Sequence, residues 1–148
     1  MAEAGTGRRV GYATGVYDLF HVGHLNILRQ ARERCDSLIA GVTTDELVVQ
    51  PKGYPPVVPY VERVEIVKAI TYVDTVIPVS SLDKTLAYRT MPFDIIFKGD
   101  DWQGTEKGDN MERDMAALGV EVVYFPYTVH TSSSMLRLTL DRLAKSLQ

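Results

Sequence analysis

Two histidines, three positions apart, are the residues whose type and spacing point most directly to chemistry. His21 and His24 flank Gly23 at the predicted start of a helix, and the chain has only three histidines. Side chains three apart lie on one face of a helix, and a helix N-terminus offers unpaired N–H groups and partial positive charge to a phosphate. Two imidazoles at that place could donate hydrogen bonds to phosphate oxygens and stabilise charge that builds up during phosphoryl transfer.

Two other interpretations of the pair remain open. His21 could cap the helix while His24 packs inside, and the two histidines with Asp18 could begin a zinc site. The zinc interpretation lacks a third partner at a standard spacing. The single cysteine, Cys35, can form neither an internal disulfide nor a cysteine-based zinc site. The sequence therefore predicts no set of protein ligands for a metal.

The elements that must position the histidines alternate between two periodicities. Short apolar runs predict strands at 9–14, 37–43, 73–79, 94–98 and 120–125. Helical spacing appears around 25–31 and over 60–70, 82–89, 109–118 and 132–147, with a proline-rich loop at 50–59. This order predicts one α/β domain over residues 1–148, a Rossmann-like open parallel five-stranded sheet with helices on both faces. Ligands of such sheets bind beyond the carboxyl ends of the strands.

Composition narrows the class of protein. The 148 residues fit one domain, and 45% apolar with 24% charged residues is typical of a globular chain. A net charge of −3 argues against a nucleic-acid partner. No apolar stretch approaches the roughly 20 residues of a membrane helix, and no targeting segment is visible. We therefore expect a cytoplasmic protein with neither a membrane nor a nucleic acid as partner.

The loop that carries the histidines, Gly15-Val16-Tyr17-Asp18-Leu19-Phe20-His21-Val22-Gly23-His24, resembles the HxGH signature of the cytidylyltransferase family of nucleotidyltransferases. Four further segments resemble family motifs in the same order, and the last is similar to the Gly-Asp-Asp-Trp loop of glycerol-3-phosphate cytidylyltransferases. They are Gly41 to Glu46, Lys52-Gly53-Tyr54 with Glu62-Arg63, Tyr72 to Ile77, and Lys98-Gly99-Asp100-Asp101-Trp102.

The resemblance implies a reaction and a site. A phosphate monoester attacks the α-phosphate of CTP and releases pyrophosphate, with Mg²⁺ held mainly by phosphate oxygens and water. His21 and His24 would contact the triphosphate, and Lys52 would bridge the α-phosphate and the acceptor. The family also implies a homodimer with the Tyr-Val-Asp segment near its interface. The nucleotide-binding residues implied are Gly15, Val16, Tyr17, Asp18, Gly99, Asp100, Thr128, Ser132 and Ser133.

The sequence departs from the family pattern at two arginines. Tyr127 and His130 replace the arginine and glycine of the last motif, and Thr71 replaces the arginine before Tyr-Val-Asp. A charge-assisted hydrogen bond contributes roughly 1.5–3 kcal/mol, so the site is expected to be rearranged. Arg63, Tyr127 and His130 are the predicted contacts to the acceptor or to phosphate.

The acceptor and the nucleotide therefore have alternatives. We expect CMP transfer from CTP to a small phosphate-bearing acceptor similar to glycerol 3-phosphate. A phosphonate, phosphocholine or phosphoethanolamine acceptor remains open, as does an adenylyltransferase that uses ATP. A catalytically silent nucleotide-binding module is the alternative from another class, because two family arginines are missing.

Overall fold

A computed structural model describes residues 7–127 and 131–148, with the Pro51 side chain left out. The strands are β1 (Val10–Gly15), β2 (Ser37–Thr43), β3 (Thr75–Val79), β4 (Ile95–Gly99) and β5 (Glu121–Phe125). The helices are α1 (Val22–Arg32), α2 (Asp45–Lys52), α3 (Tyr60–Lys68), α4 (Lys84–Thr90), α5 (Glu106–Ala117) and α6 (Ser133–Ser146). A short 3₁₀ turn, Asp100–Trp102, follows β4.

All five strands pair in parallel, in the order β3-β2-β1-β4-β5. The order reverses direction at β1, where β2 and β4 flank it on its two sides. The predicted fold class is confirmed. A ligand site is therefore expected beyond Gly15 and Gly99, at the carboxyl ends of the two central strands.

Two apolar cores cover the two faces of the sheet. Alternate residues of each strand supply them, as the period-two geometry of a strand requires. Tyr12 and Ile96 belong to one core, which α2, α4 and α5 help to enclose, whereas Ala13 and Phe97 belong to the other, beneath α1 and α3. The central strands are buried on both sides, so only their ends and loops can meet a ligand.

Helix α2 is the element that the sequence did not predict. Thr44 caps it, since the Thr44 side chain accepts a hydrogen bond from the Leu47 backbone N–H, and Gly53 ends it with φ of 75°. The helix continues through Pro51 to Lys52, so part of the predicted 50–59 loop is helical. No helix of the described residues is long and apolar enough to cross a membrane.

Candidate active site

The two histidines together cap helix α1. His21 is the N-cap residue, and its Nδ1 accepts a hydrogen bond from the Gly23 backbone N–H at 3.0 Å. His24 Nδ1 accepts in return from the His21 backbone N–H at 3.2 Å. This reciprocal arrangement satisfies two of the N–H groups that a helix start leaves without partners.

The cap fixes the tautomer of each ring. Because Nδ1 is an acceptor in both rings, a neutral imidazole must carry its proton on Nε2. Burial lowers the pKa of His21, and burial followed by the charge of His21 lowers the pKa of His24 to about 3. At neutral pH the free protein therefore holds two neutral rings whose Nε2–H groups can donate to an anion.

The rings also lie side by side. Their centroids are 4.0 Å apart with 31° between the planes, and both side chains are half-buried. His24 packs against Tyr17 and Phe20, at centroid distances of 5.6 and 5.2 Å. Capping and phosphate binding are thus compatible interpretations, since each imidazole uses one nitrogen for the helix and keeps the other.

The loop that leads into the histidines has an unusual backbone. Tyr17 and Leu19 have φ of 55° and 50°, in the left-handed region that costs a residue with a side chain roughly 1–2 kcal/mol. The Tyr17 side chain is buried, and its hydroxyl donates to the Ala13 carbonyl at 2.9 Å. Burial raises the pKa of this phenol. Tyr17 therefore supports the loop from the core, and its predicted part in nucleotide binding stays a prediction.

Asp18, between these two residues, joins the histidine loop to the segment after α2. Its carboxylate accepts hydrogen bonds from the backbone N–H groups of Val57 and Val58 at 2.8 and 2.9 Å and pairs with Arg137 at 3.5 Å. The side chain is 7% exposed. Asp18 thus positions the loop, and its predicted part in nucleotide binding stays a prediction.

Arg63 is also a positioning residue. Its side chain is 0% exposed. The guanidinium donates to the carbonyls of Val58, Val16 and Thr43 at 2.9, 2.6 and 2.7 Å and pairs with Asp45 at 2.7 Å. A contact of Arg63 with acceptor or phosphate, as predicted, would need exposed surface that this side chain does not have here. Instead, Arg63 ties β2, the histidine loop and the segment after α2 together.

The predicted catalytic lysine stands at the end of α2. Lys52 is exposed, and Gly53 next to it takes the left-handed conformation that ends the helix. Tyr54 and Pro55 follow on the same segment and contact Arg137 of α6. The Arg137 guanidinium stacks on the Tyr54 ring at 4.3 Å and donates to the Pro55 carbonyl at 2.7 Å. Lys52 is thus an exposed amine on a segment whose later residues, Val57 and Val58, hydrogen-bond to Asp18 of the histidine loop.

The loop after β4 supplies a different set of groups. The Tyr127 ring lies against Gly99, so close that a Cβ there would meet its hydroxyl at 2.5 Å and the ring would have to shift. The Tyr127 hydroxyl donates to Asp101 at 3.3 Å. Burial, then the Asp101 charge, raises the pKa of Tyr127 to about 12. A neutral phenol cannot replace the arginine of the family motif as a cation.

Helix α6 brings its N-terminus to the histidine loop. Ser132 is the N-cap and accepts from the Met135 backbone N–H at 3.1 Å, while the Ser133 hydroxyl donates to the Asp18 carbonyl at 2.6 Å. Both predicted serines therefore lie where the helix start meets the loop. The predictions for Thr128 and His130 fall outside the described residues.

Gly15, Val16 and Asp100 complete the predicted set. The Gly15 carbonyl accepts from the Thr43 hydroxyl at 3.1 Å, and the Val16 carbonyl accepts from Arg63. Asp100 is half-buried at the start of the 3₁₀ turn, one residue beyond the end of β4. These three residues lie at the carboxyl edge of the two central strands, as the fold predicts for nucleotide contacts.

One arginine and a cluster of three lysines are not among the predicted site residues. Arg137 pairs with Asp18 and carries no motif in the sequence. Lys84, Lys98 and Lys107 surround the ring of Trp102 at 5.3, 4.1 and 5.9 Å from its centroid. A lysine at the end of the apolar run Ile95-Ile96-Phe97 was the only signal of this cluster in the sequence.

Comparison with known proteins identifies the family. The model of the "Cytidylyltransferase-like" family matches residues 12–139. FAD synthase of Pyrococcus horikoshii is 35% identical over 135 residues, which cover 88% of this chain and 89% of that protein. Ethanolamine-phosphate cytidylyltransferase of Arabidopsis thaliana is 50% identical over 66 residues, 45% of this chain and 15% of that much longer protein.

A solved structure supports the same fold. The lipopolysaccharide core biosynthesis protein of Thermoplasma volcanium superposes with a TM-score of 0.68 at 24% identity, over 84% of this chain and all of that one. Together with the HxGH geometry and the 128 residues that the family model spans, from 12 to 139, these similarities place the sequence within one group of enzymes. The chain belongs to the cytidylyltransferase-like family of HxGH nucleotidyltransferases.

Proposed function

We propose that the protein transfers CMP from CTP to a small phosphate-bearing acceptor similar to glycerol 3-phosphate and releases pyrophosphate. The observation that carries this proposal is the histidine pair, in which both Nδ1 atoms are held by backbone N–H groups. Each Nε2–H is then left as a fixed donor at a helix start. Such preorganised donors stabilise developing negative charge without reorganising during the reaction.

The reaction needs no nucleophile from the protein. An oxygen of the acceptor phosphate attacks the α-phosphorus of CTP, the bond from that phosphorus to the bridging oxygen of the β-phosphate breaks, and pyrophosphate leaves. The protein contributes positioning and charge neutralisation. His21 and His24 would donate to phosphate oxygens, and the Lys52 amine would offset the charge between the α-phosphate and the acceptor.

We propose Mg²⁺ as the partner of the triphosphate. Within residues 7–127 and 131–148, no three histidine, cysteine or acidic side chains converge on one point where they could hold a metal. The Asp18 carboxylate beside the histidine loop already accepts two backbone N–H groups and pairs with Arg137. The residues present therefore fit an ion that phosphate oxygens and water hold, which would neutralise charge on the leaving pyrophosphate.

For the base, we propose that Asp100 faces the cytosine ring. A carboxylate accepts a hydrogen bond from the exocyclic amino group of cytosine, and adenine carries such an amino group too. The Tyr127 hydroxyl bonds to the neighbouring Asp101, which leaves Asp100 as the second carboxylate of the turn. This contact would hold an amino-bearing base, and a direct competition between CTP and ATP decides which base the site prefers.

An adenylyl transfer is the second candidate, and a specific observation favours it. A relative that aligns over 88% of this chain and 89% of its own length is an FAD synthase, and FAD contains an AMP unit. The matched cytidylyltransferase aligns over a shorter stretch, although at higher identity. Adenylyl transfer would use the same histidine pair with ATP in place of CTP.

Pyrophosphate release tests the proposal. The protein is incubated with Mg²⁺, glycerol 3-phosphate and either CTP or ATP. We expect release with CTP, and preference for ATP would assign the second candidate instead. Binding of CTP by calorimetry with no release for any phosphate, phosphonate, phosphocholine or phosphoethanolamine acceptor would indicate a silent nucleotide-binding module.

We also propose a homodimer formed at the β3 edge of the sheet. Strand β3 is the last strand on its side, and the Tyr-Val-Asp segment immediately precedes it. Asp74 in that segment accepts from the Leu38 backbone N–H at 2.8 Å and pairs with Arg32, which holds the segment against β2. Light scattering after gel filtration measures the mass, and a value near 16.5 kDa would contradict the dimer.

A further inference from the structure

The N-terminal part of α6 carries two side chains that both reach Asp18 in the histidine loop. Ser133 and Arg137 are four residues apart and therefore lie on one face of the helix. The Ser133 hydroxyl donates to the Asp18 carbonyl at 2.6 Å, and the Arg137 guanidinium pairs with the Asp18 carboxylate at 3.5 Å. Helix α6 is thus joined to the histidine loop through both the backbone and the side chain of Asp18.

Arg137 also holds the segment that follows Lys52. Its guanidinium lies over the Tyr54 ring, 4.3 Å from the centroid, and its Nη2 atom donates to the Pro55 carbonyl at 2.7 Å. Only 24% of the Arg137 side chain is exposed. The planar guanidinium stacks through its face and donates hydrogen bonds from its edge at the same time, which the ammonium of a lysine does not do.

The same segment continues to the histidine loop. The backbone N–H groups of Val57 and Val58 donate to the Asp18 carboxylate at 2.8 and 2.9 Å. The Asp18 oxygen that accepts from Val57 is the one that also pairs with Arg137. The segment after Lys52, the histidine loop and α6 therefore meet at one carboxylate.

Lys52 lies close to this junction along the chain. It precedes Tyr54 by two residues, and a chain advances at most ~3.6 Å per residue, so the Lys52 backbone lies within about 7 Å of the Tyr54 backbone. The Lys52 side chain is exposed. The place of its amine relative to the two histidines therefore depends on how firmly the following residues are held.

We propose that Arg137 is a positioning residue for the transfer reaction. It holds the segment after Lys52 against the histidine loop and thereby sets where the Lys52 amine stands relative to the imidazoles of His21 and His24. The inference rests on the proposed function, in which that amine offsets charge between the α-phosphate and the acceptor. A displacement of about 1 Å between reacting groups can lower a rate ~100-fold, so a residue that fixes this distance affects turnover without touching the substrate.

Trypsin digestion without nucleotide tests whether Arg137 holds the segment, because the bond between Lys52 and Gly53 is a tryptic site. When a segment opens and closes faster than it is cut, the cleavage rate follows the population of the open form. We expect cleavage after Lys52 to become ~10-fold faster in Arg137→Met, the scale of one charge-assisted hydrogen bond. Cleavage after Lys107 in α5 should stay unchanged, which separates local opening from a general loss of stability.

Arg142→Met is the matched control for this experiment. Arg142 lies farther along α6 and is exposed, and its replacement also removes one arginine and one tryptic site from that helix. We expect this variant to be cut after Lys52 at the rate of the unaltered protein and to keep full activity. Cleavage after Lys52 that is no faster in Arg137→Met than in Arg142→Met would overturn the inference.

Kinetics test whether Arg137 acts through Lys52. We expect Arg137→Met to lower kcat/KM for the acceptor ~10-fold or more, whereas it should cause no further loss in a Lys52→Ala background, where no amine is left to position. The affinity for CTP, measured by calorimetry, should fall no further than in Lys52→Ala. An equal loss of kcat/KM in both backgrounds, or a larger fall in CTP affinity that indicates a direct phosphate contact, would overturn the inference.

The activity of the unaltered protein separates this inference from the proposed function. Pyrophosphate release by the unaltered protein, with equal losses in the two backgrounds, overturns the inference alone. No release with any acceptor and either nucleotide refutes the proposed function and, with it, the effect of Arg137 on turnover. The digestion would still report whether Arg137 holds the segment after Lys52.

Discussion

Replacement of His24 separates the two tasks that its imidazole performs. His24→Ala removes the acceptor of the His21 backbone N–H, a 3.2 Å hydrogen bond that contributes roughly 0.5–1.5 kcal/mol. It also removes ring contacts with Tyr17 and Phe20, and an aromatic pair contributes about 0.5–1.5 kcal/mol. Stability should therefore fall by about 1.5–4.5 kcal/mol, which is less than the roughly 5–15 kcal/mol of an ordinary domain.

The loss of turnover is a second effect, separate from this loss of folding stability. Loss of one preorganised donor to a transition state lowers turnover ~100- to 1,000-fold, so we expect kcat to fall at least ~100-fold for His24→Ala. His24→Gln is the matched control, because glutamine at the third helical position can cap the helix yet offers no imidazole. It should recover part of the lost stability without recovering the rate.

Urea unfolding measures stability, and pyrophosphate release at saturating CTP measures turnover. If His24→Gln regained both stability and rate, an amide N–H would have replaced the imidazole N–H as donor, and the reaction would not require the imidazole ring itself. Near-normal turnover of a folded His24→Ala protein would refute the role of the imidazole in the chemistry.

Three further changes test other parts of the account. Lys52→Ala, at an exposed helix end, should lower kcat with little change in urea stability, and an unchanged rate at saturating acceptor would count against the lysine. Arg63→Met should destabilise the fold by roughly 3 kcal/mol or more, since it leaves the carbonyls of Val16, Thr43 and Val58 without their donor, at about 1–3 kcal/mol for each buried group left unsatisfied. Unchanged thermal stability of this variant would contradict the positioning role. The pKa of Lys84 is lowered from 10.5 to about 7 in the folded chain, so the unfolded chain binds more protons between these values and stability should rise with pH across that window. Lys84→Met should therefore raise the free energy of unfolding by a few kcal/mol near pH 6, at about 1.4 kcal/mol per pKa unit. This gain should shrink toward pH 10. A difference in urea midpoint between variant and parent that is equal at both pH values would refute this assignment.

The sequence predicted the framework because its local signals agreed with the tertiary structure. Strand β2 was predicted with its observed bounds, since an uninterrupted apolar run suits a strand buried on both faces. Helix α6 was predicted over 132–147 and is observed over Ser133–Ser146, since its apolar residues recur at helical spacing. Helix α2 was not predicted, because the prolines from Pro51 onward indicated a loop where the helix ends. Thr44 followed by two acidic residues is nevertheless a helix-start signal.

The site was predictable in part. The spacing of His21 and His24 predicted two rings on one face of a helix start, but local spacing could not show that both Nδ1 atoms cap the backbone. The burial of Arg63 and Asp18 depends on which loops meet above the sheet, and no local pattern encodes that meeting. The lysines around Trp102 converge from β4, α4 and α5, so only the folded chain brings them together.

Mass spectrometry of the product tests the central claim most directly. The protein is incubated with Mg²⁺, an equal mixture of CTP and ATP, and a panel of phosphate and phosphonate acceptors with neutral, cationic and anionic ends. The account predicts a CMP-linked acceptor together with pyrophosphate. An AMP-linked product alone, or no nucleotide-linked product from a folded protein, would contradict it.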